Sequence, residues 1–501
     1  MSELEFLDLS RNYFSGIIPR DWTDLQYLKV IDFSNNNLSG EIPSSMCSQL
    51  PSLQWLRLSN NNLSGNLESS LQTCRNLSAL DLTGNNFSGT IPDCIGENLH
   101  TLSYLILKAN KFTGNIPHQL CDLSSLQVLD LSQNNISGSI PACLGGLKQM
   151  ATGDGLRSDW MMYFSSPANP MHIDLNVKGV VYEYIDDIIE LIKKFDLSSN
   201  NLSGEIPEEV KNLMALDSLN LSHNHLTGKI PEGIGSLHKL EALDLSGNHL
   251  WGLIPSSMTS MTALSKLNLS FNNFSGPIPS ANQFLTFNDP TSFEGNSGLC
   301  GPPLPTQCSS VNDPAVKVDE DEEDKYGKLW FYASTSLGFI VGFWVAFGSL
   351  VIKRSWRHAY FQFLDNMKDK LCFCFWKISP LLTWLELSDN QLRGELPNSI
   401  NSPLQFVYLN NNSLVGSIPL WPVLINLSLA SNRFSRLIPL NIGSEMSKLS
   451  VPGLSRNNMN GSVPPFSSKM KSLVFLDFSR NYLSGNIPRD WMGLKDLTII
   501  D

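Results

Sequence analysis

"LDLSRNYFSGIIP", Leu7–Pro19, decides how this chain folds, because it keeps returning. It reads "IDFSNNNLSGEIP" from Ile31, "LDLTGNNFSGTIP" from Leu80 and "LDLSQNNISGSIP" from Leu129. It comes back as "FDLSSNNLSGEIP" from Phe195, "LNLSHNHLTGKIP" from Leu219, "LDLSGNHLWGLIP" from Leu243 and "LNLSFNNFSGPIP" from Leu267. The spacing is about 24 residues, inside the range of leucine-rich repeats. The leucines of L-x-x-L-x-L alternate on a short strand and point inward, and their neighbours point onto a concave face. An asparagine follows at a fixed offset: Asn12, Asn36, Asn61, Asn85, Asn110 and Asn134, then Asn200, Asn224, Asn248 and Asn272. Its amide suits the backbone of adjacent coils, where a buried polar group needs a partner. Glycine and Ile-Pro then turn the chain toward the convex side. No coil buries its apolar face alone, so coils must stack. The pattern predicts an α/β leucine-rich-repeat solenoid with a parallel β-sheet on its concave face.

Composition narrows the function. Only 16% of the 501 residues are charged and the net charge is −12, so no basic face points to nucleic acid. The sequence holds no kinase glycine-rich loop with its lysine, no His/Cys metal spacing and no G-x-S-x-G elbow. The 8 histidines are scattered, and His223, His225 and His249 fall in turn positions after the ladder strands. No enzyme, metal or cofactor is expected.

The L-x-G-x-I-P ending resembles the plant-specific class of extracellular leucine-rich repeat, and the chain is similar to plant leucine-rich-repeat receptor-like proteins. Between Gly146 and Lys194 the repeat stops at "RSDWMMYFSSPANPMHIDLNVKGVVYEYIDDIIELIKKF". The stretch "VKGVVYEY" and the apolar, helix-like run after it resemble receptors of the ethylene-inducing xylanase receptor type. The resemblance implies that residues 147–193 are an island insertion, four repeats before the end, that contacts a ligand or co-receptor; the alternative is a tolerated loop. The repeats then occupy 1–146 and 194–292. "FEGNSGLCGPPLPTQC" resembles the family's C-terminal cap over residues 293–310, and that likeness implies a Cys300–Cys308 disulfide, which needs an oxidising compartment. Cys47, Cys74, Cys94, Cys121 and Cys143 are odd in number, so at least one has no partner among them.

An acidic run, Asp319 to Asp324, marks residues 311–328 as a solvated stalk. Residues 329–352 carry no charge and are long enough for one transmembrane α-helix. Lys353, Arg354 and Arg357 follow at once, which places the N-terminal side outside and the tail, 353–376, in the cytosol. Ser334, Gly338, Gly342 and Ala346 form a small-residue face for helix packing, which the resemblance assigns to an adaptor receptor kinase. Tyr360 and Phe363 match a tyrosine-based endocytic pattern, against the alternative of interfacial aromatics. Cys372 and Cys374 are candidates for acylation or plain reduced thiols.

The repeat then resumes at 377–501, with ladder asparagines Asn390, Asn412, Asn432, Asn457 and Asn481. Residues 470–501 align with 1–32 without a gap, sharing "SRNY" and "PRDW". The reading is a fusion of two tandem receptor genes with a truncated N-terminus: no signal stretch or N-terminal cap precedes Met1, and the second array has both core edges bare. Glycosylation sequons stand at Asn37, Asn62, Asn76, Asn86, Asn135, Asn201, Asn220, Asn268 and Asn273, and at Asn411, Asn426 and Asn460 in the second array.

The leading expectation is a plasma-membrane, single-pass receptor-like protein. It would bind an extracellular peptide, protein or glycan and signal through a partner receptor kinase, having none of its own. Exposed strand residues are the candidate contacts, among them Lys29, Gln54, Trp55, Arg57, Tyr104 and Gln127. The alternatives are a nonfunctional fused product and an inhibitor-type binder of cell-wall hydrolases.

Overall fold

A computed structural model describes residues 4–153, 192–308, 382–400, 402–464, 470 and 472–487, with the backbone of 172–177 and 180–185. Each coil contributes one short strand to a 15-stranded parallel sheet. The strands hold one register throughout; Leu7 pairs with Ile31, Ile31 with Leu56 and Leu56 with Leu80. Their leucines form the core: Leu9, Leu58, Leu82, Leu107 and Leu131 are fully buried. The asparagine ladder makes those buried coils polar-complete. Asn36 Nδ2 donates to Leu9 O and Phe33 O, and its Oδ1 accepts from Phe14 N–H, all at 3.0 Å. One side chain thus ties two coils together.

The N-x-L-S-G segments do more than turn the chain. Tyr13–Ile17, Asn37–Gly40 and their equivalents build a second, 10-stranded parallel sheet beside the first. The glycine of each segment takes a left-handed backbone, as at Gly16 (φ 84°), which a side chain would strain. On the convex side, Cys47–Cys74 and Cys121–Cys143 are disulfides between neighbouring coils. Cys94 lies between them, buried and free, and burial pushes its thiol up to about 11. Of the five convex-side cysteines, the one without a disulfide is therefore Cys94.

At the end of the first array Cys300 and Cys308 are disulfide-bonded. The cap carries a ladder rung that the leucine pattern hides. Asn296 Nδ2 donates to Leu269 O, and its Oδ1 accepts from Phe274 N–H. Phe293, fully buried, takes the leucine's place. The signal was Asn296 itself, 24 residues after Asn272.

The insertion leaves the main sheet unbroken. Val128–Asp130 pairs directly with Lys194–Asp196. Lys148–Thr152 is a short helix ended by Gly153 at φ 69°. Farther on, His172–Val177 and Val180–Ile185 form an antiparallel hairpin, so the insertion has sheet structure of its own. The helix-like run expected after it falls largely outside the described residues, and Lys194 onward is strand.

The second array overturns the expectation of two bare edges. Its last strand in the main sheet, Phe475–Asp477, pairs in parallel with Phe6–Asp8: Phe6 with Phe475, Leu7 with Leu476, Asp8 with Asp477. The strand order runs from Lys266–Asn268 down to Phe6–Asp8, then on through Phe475–Asp477, Val451–Gly453, Asn426–Ser428 and Phe406–Tyr408 to Trp384–Glu386. The coils of both arrays belong to one compact unit. One edge of the second array is covered because its final coil offers the same leucine and asparagine pattern as the first.

Among the described residues no helix is long and apolar enough to cross a membrane. The proposed span 329–352, its packing face Ser334, Gly338, Gly342 and Ala346, the acidic stalk, Tyr360 and Phe363, and Cys372 and Cys374 all lie outside the described residues.

Candidate ligand-binding face

Between the inward leucines, two positions per strand face the concave side. They form two rows that run across the coils. The first row is Phe475, Phe6, Val30, Trp55, Ala79, Tyr104 and Val128, matched by strand register. It is an apolar cluster. Phe6, Val30, Trp55, Ala79, Tyr104 and Val128 are buried against one another, with Phe475 and Ile192 packed on the edge. The Phe6 and Phe475 rings stack at 4.2 Å, and Trp55 and Tyr104 meet at 6.0 Å. Coils stacked at about 4.8 Å put each large side chain against its equivalents.

The second row is charged: Asp477, Asp8, Asp32, Arg57, Asp81, then Asp130 and Asp196 beyond Ile106. Arg57 is 2% exposed and bridges Asp32 at 3.4 Å and Asp81 at 3.2 Å. Burial raises the Asp32 carboxyl despite Arg57. Burial also pushes Asp8 well above the usual carboxylate range, with Asp32 and Asp477 pushing the same way. Lys194, 1% exposed, bonds to Asp130 and lies 3.2 Å from Asp196. Burial alone would raise Asp130, but the Lys194 ammonium outweighs it and holds that carboxyl below its ordinary value. Asp196 moves the other way, raised by burial and by Asp130. The lysine's stronger contact is with Asp130, which fits that split.

These rows correct the expected contacts. Trp55, Arg57, Tyr104 and Gln127 are buried, not exposed. Lys29 and Gln54 are half-buried, and Lys29 pairs with Glu5 at 3.0 Å. Gln54 Oε1 and Gln127 Oε1 are buried without a hydrogen-bond partner among the described residues. Trp55, Arg57 and Tyr104 lie in the two concave rows, where row-to-row contact shields them, while Lys29, Gln54 and Gln127 precede their strands and lie in neither row.

Past the insertion the face opens gradually: Ser218 and Ala242 are still buried, Asn220, Asp244 and Asn268 are half-buried, and Lys266 is exposed. It ends in a groove of about 630 Å³ between the Lys266–Asn268 strand and residues 286–294. Lys266 is exposed there, opposite Asp289 and Glu294 on the groove's other wall. Hydrogen bonds from the Thr291 side chain and, at 3.0 Å, from its N–H lower the Asp289 carboxyl. This groove was not singled out by sequence, because its far wall comes from the irregular stretch before the cap.

The sequons separate by surroundings. Asn37, Asn62, Asn76, Asn135, Asn201 and Asn273 are exposed, as are Asn411 and Asn460. Asn86 is half-buried and donates to Asn62 Oδ1 at 2.6 Å. Asn220 and Asn268 are half-buried on concave strands, each accepting from the hydroxyl of its own sequon serine, Ser222 or Ser270. Asn426 is half-buried too. No group of three or more potential metal ligands occurs among the described residues.

Two leucine-rich-repeat family models match the chain: one over residues 2–63 and 75–136, the other over 191–213, 215–237, 239–261, 263–285, 381–402 and 472–494. No catalytic family is indicated. Along the sequence, the chain is 43% identical over 120 residues to Receptor-like protein EIX2 of Solanum lycopersicum, covering 22% of this chain and 10% of that protein. It is 50% identical over 213 residues to Cuscuta receptor 1 of the same plant, covering 41% and 18%. The matched segments are thus under a fifth of either relative's length. Among solved structures it is similar to the ectodomain of the Arabidopsis thaliana membrane receptor kinase GASSHO1/SCHENGEN3, at 25% identity and a TM-score of 0.45, covering 98% of this chain and 48% of that one. With the repeats, both sheets and the asparagine ladder in place, the chain belongs to the leucine-rich-repeat proteins and is kin to the plant receptor-like proteins.

Proposed function

We propose that this chain is the recognition part of a membrane-anchored receptor-like protein, which binds an extracellular ligand on its concave face and signals through a partner receptor kinase. The observation that carries the reading is the change along that face. From Phe475 to Lys194 its side chains are locked into one another. Beyond it Ser218 and Ala242 are still buried, but Asn220, Asp244 and Asn268 are polar and half-buried, and Lys266 at the groove is exposed. A ligand gains most where side chains are accessible and held by a rigid sheet. The plant receptor-like proteins it resembles support the same reading. Anchoring rests on residues 329–352, with the small-residue face as the kinase contact and Tyr360 and Phe363 as a sorting signal. Glycans fit Asn37, Asn62, Asn76, Asn135, Asn201 and Asn273 best, and fit Asn220 and Asn268 least.

Binding of the full chain to a panel of immobilised cell-wall hydrolases, a fungal xylanase first, tests the reading. A Lys266→Glu/Asn268→Lys variant should keep its thermal midpoint and lose binding at least about tenfold, the loss of about one good polar contact. A variant that binds a panel member as the parent does would move the site off this groove. Inhibition of the bound hydrolase without any kinase-dependent response in leaves would favour the inhibitor reading.

A further inference from the structure

We propose that the coil edge at residues 5–17 is a docking surface for the end of a second leucine-rich-repeat array, and that its occupant is residues 474–486 of the same chain. The two arrays then act as one solenoid in permuted order and share one compartment.

The joint matches the interior joints bond for bond. Asn12 Oδ1 accepts from Leu483 N–H at 3.0 Å, and Asn12 Nδ2 donates to Phe478 O at 3.0 Å. Those are the bonds Asn36 makes to Phe14 and Leu9 one coil later. Backbone donors complete the edge: Phe478 N to Asp8 O, Arg480 N to Ser10 O, Asn481 N to Arg11 O and Glu5 N to Val474 O. The side-chain rows match in kind as well. Phe6 stacks on Phe475, and Tyr13 on Tyr482 at 6.2 Å. In the second sheet Ser15 lies opposite Asn486.

Near-identity of the two coils explains why the surfaces fit. Because 470–487 closely resembles 1–18, it presents to Leu7 nearly the surface that the first coil presents to Ile31. A coil that stacks on the second coil therefore has a copy that stacks on the first. No covalent link crosses the joint among the described residues. A bilayer cannot pass through a hydrogen-bonded parallel sheet. A single crossing at residues 329–352 would separate the arrays, so the joint and that crossing exclude each other in one molecule: a chain closed at this joint keeps both arrays on one side, and residues 329–352 do not carry it across.

A disulfide trap in the full chain tests this. Adjacent parallel strands sit at about 4.8 Å, inside the Cα spacing a disulfide accepts, so Ser15→Cys with Asn486→Cys should cross-link, and neither single variant should. The trapped species should run as a monomer. After protease cuts between Cys308 and Leu382, its two parts should stay joined until reduced. A dimer-sized trapped species would overturn the proposal by making a second copy the occupant. No cross-link in a folded chain would overturn the joint itself. The unmodified chain gives a second reading that needs no variant to fold. The amides of Phe478, Arg480 and Leu483 should be protected from hydrogen exchange within about tenfold of Phe33, Asn35 and Leu38, as local stability within one solenoid requires. Exchange at the rate of an unpaired edge would overturn the joint. Glycan on Asn411 or Asn460 in molecules that also carry it on Asn37 would support the shared compartment, and glycan confined to the first array would overturn it.

Discussion

Two places in this solenoid join coils that lie far more than one repeat length apart in the chain. At the insertion, Asp130 meets Lys194, 64 residues on. At the permuted joint, Asn12 meets Leu483, 471 residues on. The backbone treats them alike: parallel register, one asparagine rung, stacked side-chain rows. Their electrostatics differ. The insertion joint buries a lysine between two aspartates. The permuted joint sets Asp477, Asp8 and Asp32 on three successive coils, and Arg57 reaches only the outer end of that run, at Asp32. The asparagine ladder therefore suffices to join coils, while charge balance is a local solution that each joint finds separately.

The sharpest way to break that contrast is to remove the lysine. Lys194→Met leaves Asp130 and Asp196 buried beside each other without their cation. Breaking a buried pair this way costs about 3–5 kcal/mol. The urea midpoint of the full chain should fall strongly, and amides of Val128 and Leu197 should lose protection first. A midpoint shift under about 1 kcal/mol, the range of a surface pair, would mean that Asp130 and Asp196 accept protons or other donors easily. The insertion joint would then be no more charge-dependent than the permuted one.

A smaller effect tests the shared part. Asn12→Ala and Asn200→Ala each strip one rung, leaving one N–H (Leu483 or Ile136) without its partner and taking one of two donors from each carbonyl of the rung. Each should cost about 1–3 kcal/mol, read as loss of exchange protection on both sides of its joint. Equal costs would confirm that the ladder works the same way across 64 residues and across 471. A silent Asn12→Ala beside a costly Asn200→Ala would show that only the insertion joint is closed in solution.

The sequence carried the strands, the inward leucines and fifteen ladder asparagines, ten in the first array and five in the second, because each depends on a residue type at a fixed offset within one coil. The odd cysteine count announced Cys94 without saying which of the five it was; the pairing needed coil-to-coil distance. The second sheet was missed because N-x-L-S-G reads locally as a turn, and its hydrogen bonds come only from the next coil. Asn296 was missed because Phe293 stands where a leucine was sought. The shielding of Trp55, Arg57 and Tyr104 was illegible for a similar reason. Alternation tells which face a residue takes, whereas its exposure depends on neighbours 24 or 25 residues away. The likeness of 470–501 to 1–32 was visible, but repetition in sequence does not say whether two copies compete for one position or stack on each other.

The finest test turns on acidity at the permuted joint. Asp8 and Asp477 both hold their protons to higher pH than ordinary carboxyls, burial being the main cause in each case. Asp8 faces Asp32 and Asp477, with Ser10 bonded to it; Asp477 faces Ser479, Ser455 and Arg456. A carboxyl with a raised folded-state pKa binds more protons folded than unfolded, so stability falls as pH rises through that raised value. Acidification from pH 7 to about pH 5 should therefore tighten this joint. Protection of Phe478 and Arg480, corrected for intrinsic exchange, should rise. Asp8→Asn should raise it already at pH 7 and flatten its pH dependence, since the amide is neutral at both values. At the insertion joint Asp130 shifts down, so its own contribution weakens as pH falls below the ordinary carboxylate range. Protection at Phe478 that falls on acidification, or an Asp8→Asn chain that loses it at pH 7, would mean that the Asp8 carboxylate is paired at this joint, and the electrostatic contrast between the two joints would disappear.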